Sequence, residues 1–129
     1  MDQCIFCREQ TLIYETDLTY VTYDTYPASP GHALIITKRH VANYFDCTQQ
    51  EVIELWQSVE KAKQLVDKDH SPDSYNIGIN VGSVAGQSVP HIHIHLIPRY
   101  KGDVEDPRGG VRGVIPNKRK YIRRQDSDQ

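Results

Sequence analysis

The sequence is short of several things at once. Among its 129 residues there are one Trp, one Met, two Phe and three Cys. It has no apolar run near the roughly 20 residues that a helix needs to cross a bilayer. The opening stretch, Met1 to Gln10, lacks the basic-then-apolar layout of a secretory signal. That argues against export and predicts a cytoplasmic protein with no membrane contact. An odd number of cysteines without such a signal argues against a disulfide framework. Charge of one sign is lacking too: 15 Lys and Arg face 17 Asp and Glu, for a formal net charge of −2. This excludes an overall basic coat for nucleic acid, and equally an acidic disordered chain. No internal repeat or low-complexity tract interrupts the chain.

What remains fits one compact domain of 14.8 kDa, large enough to bury a core without staples. Its charge is uneven. Up to Pro98 there are six Lys and Arg against twelve Asp and Glu; from Arg99 onward, nine against five. Lys118, Arg119, Lys120, Arg123 and Arg124 form a basic cluster near the end. The expectation is a single domain over 1–116 and a basic tail over 117–129, disordered from Gln125 to Gln129.

The coarse pattern is α+β. Leu12 to Tyr14 and Leu18 to Asp24 read as strands joined by a turn at Thr16-Asp17. Tyr26 to Gly31, with two Pro and a Gly, is a loop. His32 to Thr37 is a strand, and His40 to Asp46 holds a short helical turn. Thr48 and Glu51 form a capping box. Val52, Leu55, Trp56, Val59, Ala62 and Val66 then recur at helical spacing, with Glu54, Glu60, Lys61 and Lys68 opposite. This helix ends near Asp69 to Pro72. Tyr75 to Val81 and His91 to Ile97 complete a five-stranded, mainly antiparallel sheet with one main helix and a short one.

The stretch that carries chemistry is Pro90-His91-Ile92-His93-Ile94-His95-Leu96-Ile97-Pro98. A strand repeats its side chains every second residue. His91, His93 and His95 therefore share one face, while Ile92, Ile94 and Leu96 face the core. One possibility is a metal site on the strand. Neighbouring imidazoles would stand roughly 6.6 Å apart and the outer two roughly 13 Å, too far to share one ion. The other is nucleophilic: an imidazole is neutral enough near pH 7 to attack phosphorus, and its neighbours can donate to phosphoryl oxygens. Gly82 and Gly86 would let backbone N–H groups approach a phosphate. Their loop lacks the GK[ST] ending of an ATPase loop.

The alternating triad, His32 to Ile36 after Pro30-Gly31, Asn80-Val81-Gly82 and Gly86 to Val89 together resemble the histidine-triad (HIT) superfamily of nucleotide-binding hydrolases and transferases. Arg99 to Pro116 resembles the tail of microbial HIT hydrolases, often described as dinucleoside polyphosphate hydrolases. The resemblance implies the HIT-like fold, with its sheet continued across a homodimer, and a nucleotide substrate. It implies that His93 is the nucleophile at the α-phosphorus and His95 a phosphate-oxygen ligand. His32 becomes a further active-site His. Gln87 and Ser88 become ligands of the phosphate or leaving group, with Ser88 in the catalytic set. Asn80 becomes a phosphate-site residue, and Asp24 the carboxylate on the ribose hydroxyls. The transferase branch carries Gln in the third triad position, so the His here points to hydrolysis.

Cys4-Ile5-Phe6-Cys7 has the spacing of a zinc knuckle but supplies only two ligands. The resemblance implies that His40 and His91 complete a structural Cys₂His₂ zinc site. Reduced thiols with His91 hydrogen-bonded inside the site are the plain alternative. The resemblance also lets Arg108 and Arg112 reach the distal phosphates of a long substrate. The expected activity is release of a nucleoside monophosphate from a dinucleoside polyphosphate. Adenosine phosphoramidate hydrolysis, non-catalytic nucleotide binding and metal-dependent hydrolysis on the histidine strand are the alternatives.

Overall fold

A computed structural model of the chain describes residues 4–121. Arg123, Arg124 and the expected disorder over Gln125 to Gln129 lie outside the described residues. The chain divides into two compact units, Met1–Arg99 and Tyr100–Gln129.

The first unit is the five-stranded sheet with one main helix. Its strands are β1 (Tyr14–Glu15), β2 (Thr19–Tyr23), β3 (Ala33–Thr37), β4 (Ser74–Gly78) and β5 (His93–Arg99). They lie in the order β1-β2-β3-β5-β4, and every neighbouring pair is antiparallel. One face carries the core: Val21, Ala33, Ile35, Ile94 and Leu96 meet Leu55, Val59, Ala62 and Val66 of the helix α1 (Gln49–His70). The other face holds a smaller cluster of Phe6, Tyr20, Leu34 and Ile36. His93 pairs with Ile36 and His95 with Leu34, which puts both imidazoles on that second face.

Helix α1 begins where its capping box requires. The Glu51 N–H donates to Thr48 Oγ1 (3.1 Å) and the Thr48 N–H to Glu51 Oε1 (2.8 Å). It ends at Ser71, in the left-handed region at φ 52° just before Pro72. Two expectations change. Trp56 is 39% exposed rather than packed in the core. Leu55, Val59, Ala62 and Val66 fall within about 60° on the helical wheel, while Trp56 sits about 100° from Leu55, on the flank. Its indole N–H donates to the Tyr44 hydroxyl (3.3 Å). Glu54 is no idle surface charge: Oε1 accepts from the Thr16 hydroxyl (2.8 Å) and the Leu18 N–H (3.1 Å), closing the β1–β2 turn. The short helical turn after β3 is a 3₁₀ turn at Tyr44–Asp46.

Strand ends also move. β1 is a two-residue strand, Tyr14–Glu15, instead of Leu12 to Tyr14. β4 stops at Gly78 rather than Val81, so Asn80 leaves the sheet before the glycine loop. β5 runs from His93 through Pro98 to Arg99, two residues later than expected at each end. At its start, the Ile92 N–H bonds the Val41 carbonyl (2.7 Å) and the His91 N–H bonds Val89 (2.8 Å), so neither pairs with β3. At its end, Pro98 lies past the last pairing with β3 and faces Tyr75 of β4. A proline without an N–H is tolerated where one neighbour is missing. Its carbonyl accepts from the Ser29 hydroxyl (2.6 Å).

The second unit contains 3₁₀ turns at Gly110–Val114 and Pro116–Lys118. Pro116, the expected domain end, is the first residue of the second turn. Asp106 pairs with Arg108 (3.1 Å) and Lys120 (2.8 Å). Arg119 donates to the carbonyls of Asp106 and Arg108.

Candidate active site and metal-ligating cluster

A cleft of 720 Å³ opens on the sheet face away from α1. His93, His95, Asp24, Asn80 and Ser88 line it, together with Thr22, Leu34 and Val89. Five residues expected at a nucleotide site therefore share one cavity. The loop that brings Ser88 there turns at Gly82 and Gly86, with φ of 93° and 98°. Side chains with a Cβ rarely adopt such values, so glycine is what lets the chain bend here.

The partner of one imidazole nitrogen assigns the state of the other. His93 Nδ1 lies 2.8 Å from its neighbour His91's carbonyl, which can only accept. Nδ1 therefore carries the proton, and Nε2 keeps a lone pair. His32 Nδ1 accepts from the Ala28 N–H (2.9 Å), so its proton sits on Nε2. That Nε2 is 3.0 Å from His95 Nδ1 and 3.6 Å from Asp24 Oδ2. His95 Nδ1 is then the acceptor, and His95 Nε2–H is left as a donor. Burial pushes His95 down to about 4, and the neighbouring His93 and His32 push the same way. Burial also lowers His32, against the opposing pull of Asp24. Both imidazoles are neutral at pH 7, which makes His95 an uncharged hydrogen-bond donor.

His32 itself is 4% exposed and stands behind His95 rather than in the cleft wall. Gln87 is also turned away. Its Oε1 accepts from the Gly82 N–H (2.9 Å), and its Nε2 donates to the carbonyls of Ala42 (2.6 Å) and Val89 (3.1 Å). In this arrangement it shapes the glycine loop. Arg108 is bonded to Asp106, and Arg112 donates to the carbonyls of Lys118 (2.8 Å) and Arg119 (3.3 Å). Both guanidinium groups are engaged inside the second unit.

The fully buried His91 points into a second cluster. Its Nε2 is 2.8 Å from the Thr37 carbonyl, so Nε2 is protonated and Nδ1 carries the lone pair. Nδ1 lies 3.4 Å from Cys4 Sγ and 3.5 Å from Cys7 Sγ; His40 Nδ1 lies 3.2 Å from Cys7 Sγ. The four ligand atoms are all within 4.8 Å of one another. Nitrogen and sulfur on a zinc tetrahedron are about 3.5 Å apart, given bonds of about 2.0 and 2.3 Å. The donor set, its spacing and the protonation of His91 all suit a soft divalent metal. Burial lowers the His91 pKa, favouring the neutral imidazole that a metal needs.

Some contributors escaped the sequence. Phe6, between the two cysteines, stacks edge-on against His93 at 4.9 Å, and the Tyr20 hydroxyl holds its carbonyl (2.6 Å). Arg39, next to His40, donates to both carboxylate oxygens of Glu51 (3.1 and 2.8 Å). Glu51 therefore caps the helix and braces the His40 loop at once. The only signal in the sequence was its adjacency to features already explained.

The HIT domain profile matches residues 7–102 of this chain. A bis(5'-nucleosyl)-tetraphosphatase from Schizosaccharomyces pombe is 41% identical over 95 residues, covering 74% of this chain and 52% of that one. A bis(5'-adenosyl)-triphosphatase from Dictyostelium discoideum is 35% identical over 99 residues, covering 77% and 66%. The chain thus spans between half and two thirds of the length of these curated relatives. A zinc-bound histidine triad protein from Mycobacterium smegmatis superposes with a TM-score of 0.72 at 30% identity, covering 81% of each chain. With its sheet order, its alternating histidines and a profile match over most of its length, the chain belongs to the HIT family.

Proposed function

We propose that this protein is a nucleotidyl hydrolase that releases a nucleoside monophosphate from dinucleoside polyphosphates through a covalent intermediate on His93. The carrying observation is the His93 Nδ1–H bond to the His91 carbonyl just ahead of β5, which leaves Nε2 as a nucleophile in the cleft. The Nε2 lone pair attacks the α-phosphorus. The bond to the bridging oxygen breaks, and the remaining polyphosphate leaves with that electron pair. His95 Nε2–H donates to a non-bridging oxygen as charge builds there. Ser88 serves the leaving group. Asn80 holds the phosphate, and Asp24 takes the ribose hydroxyls. Water then attacks the phosphorus and gives up a proton to solvent, the P–N bond breaks, and Nε2 regains its lone pair. Ile5, Phe6, Leu34 and Val89 give the cleft the apolar surface that a base needs. The names of the two curated relatives support the substrate class.

Cys4, Cys7, His40 and His91 would hold a zinc ion. Four protein ligands leave no open position, so the ion's part is structural. The reading includes a homodimer: Phe45, Ile53 and Trp56 expose apolar surface of the kind a partner covers. It also includes a cytoplasmic location, where three unpaired thiols stay reduced. No helix among the described residues is long and apolar enough to cross a membrane.

The test is AMP release from diadenosine tetraphosphate and adenosine phosphoramidate, for wild type and His93→Ala. Wild type should turn over the tetraphosphate faster. The variant should lose on the order of 10⁴-fold or more in kcat. AMP binding without turnover by wild type would replace the hydrolase with a binding module.

A further inference from the structure

The metal-ligating turn is also a wall of the cleft. The Cys7 N–H closes the turn onto the Cys4 carbonyl (3.1 Å). Ile5 and Phe6, between the two cysteines, line the cleft, and so do the next three residues, Arg8, Glu9 and Gln10. Gln10 folds the segment back on itself by donating to the carbonyls of Ile5 (2.5 Å) and Arg8 (3.3 Å). Phe6 joins the two sites directly: its ring is 6.0 Å from His91, a ligand, and 4.9 Å from His93.

This wall is a short irregular segment with one buried apolar side chain. Of residues 4–10, Phe6 alone is buried. Fixing seven residues costs more conformational entropy than burying one Phe returns. A metal on Cys4 and Cys7 supplies the missing restraint. So does a ligand packed against Ile5, Phe6 and Gln10. Each event then lowers the ordering cost that the other would bear.

We propose that the Cys4, Cys7, His40 and His91 site and the cleft are thermodynamically linked. Zinc on the four ligands tightens nucleotide binding, and a nucleotide in the cleft tightens zinc by the same factor. The linkage rests on the nucleotide-binding reading above. It makes the apparent nucleotide affinity a function of free zinc, and it makes bound nucleotide a guard against metal loss.

Reciprocity supplies the test, because both directions must give one number. The dissociation constant of AMP is measured by calorimetry on the full chain, zinc-loaded and chelator-stripped. The zinc dissociation constant is measured by competition with a chelating dye, with and without saturating AMP. The second measurement uses loaded, folded protein and needs no stable metal-free form. Coupling of between about 5- and 150-fold is expected, equal in the two directions where both are measured. AMP binding to the loaded protein with no effect on zinc affinity overturns the linkage and leaves the nucleotide reading standing. A loaded protein that binds no AMP and turns over neither substrate overturns both.

Discussion

Two corners of this molecule gather the same kinds of side chain and use them differently. Cys4, Cys7, His40 and His91 form one cluster; Asp24, His32 and His95 form the other. In each, the ligating atoms come within 4.8 Å of one another. Proximity alone would make both metal sites. The difference lies in the backbone group at the far nitrogen. At His91 a carbonyl takes the far proton, so the lone pair turns toward the sulfurs. At His32 an N–H occupies the far lone pair, so a proton turns toward His95 and Asp24. One corner is set up for a cation, the other for a proton. An outer partner decides what an imidazole can hold.

The largest way to break this contrast is to remove a ligand. Cys7→Ser should cost about 4 kcal/mol of unfolding free energy when free zinc is near 1,000 times its dissociation constant. Urea unfolding with and without chelator checks this: chelation should bring wild type down to the variant and leave the variant unmoved. Equal losses in both would remove the metal from the account.

The proton corner breaks differently. His32→Asn should lower kcat by about 10²–10³-fold, the usual cost of one misplaced oxyanion donor, with zinc stoichiometry unchanged. Nitrogen shifts of His95 in labelled protein should report loss of the Nδ1-acceptor form. An unchanged His95 tautomer would make His32 a packing residue.

The smallest effect sharpens the contrast through acid. The folded-state pKa of His95 is depressed to about 4, below its ordinary 6.5. Between these values the unfolded chain binds more protons than the folded one, so stability falls as pH drops through that window. The contribution is fully present above pH 6.5 and gone below about 4. His95→Gln should flatten this part of the stability-against-pH curve by comparison with wild type. Parallel curves would mean that His95 is not buried neutral.

Sequence reading went furthest where periodicity and chemistry coincide. The capping box at Thr48 and Glu51 and the alternation of His93 and His95 with Ile94 and Leu96 translate directly into geometry, because each depends on neighbours in the chain. His91 shows the limit. Its period placed it on β5, but strand pairing stops at His93, because the Ile92 and His91 N–H groups bond Val41 and Val89 instead. Trp56 failed for a related reason: spacing marks a stripe, and the stripe's width depends on what packs against it. The bonds from Gln87 to Ala42 and from Arg39 to Glu51 were opaque because each joins residues from different segments. The cavity joining Asp24, Asn80 and Ser88 needs three strand ends and a glycine loop at once, which no local pattern encodes.

The distance along the chain between the metal-ligating residues has a consequence for synthesis. Cys4 and Cys7 stand 87 and 84 residues before His91. At about 5–20 residues per second, the two cysteines are made roughly 4–17 s before their last partner. During that interval neither β5 nor the His91 imidazole exists to complete the set. On the zinc reading proposed above, the four-ligand set cannot close until His91 has been made. A nascent chain holding zinc on two thiols alone is open to oxidation or to a competing metal. On that reading Cys4 and Cys7, made well before His91, wait for it to complete their set.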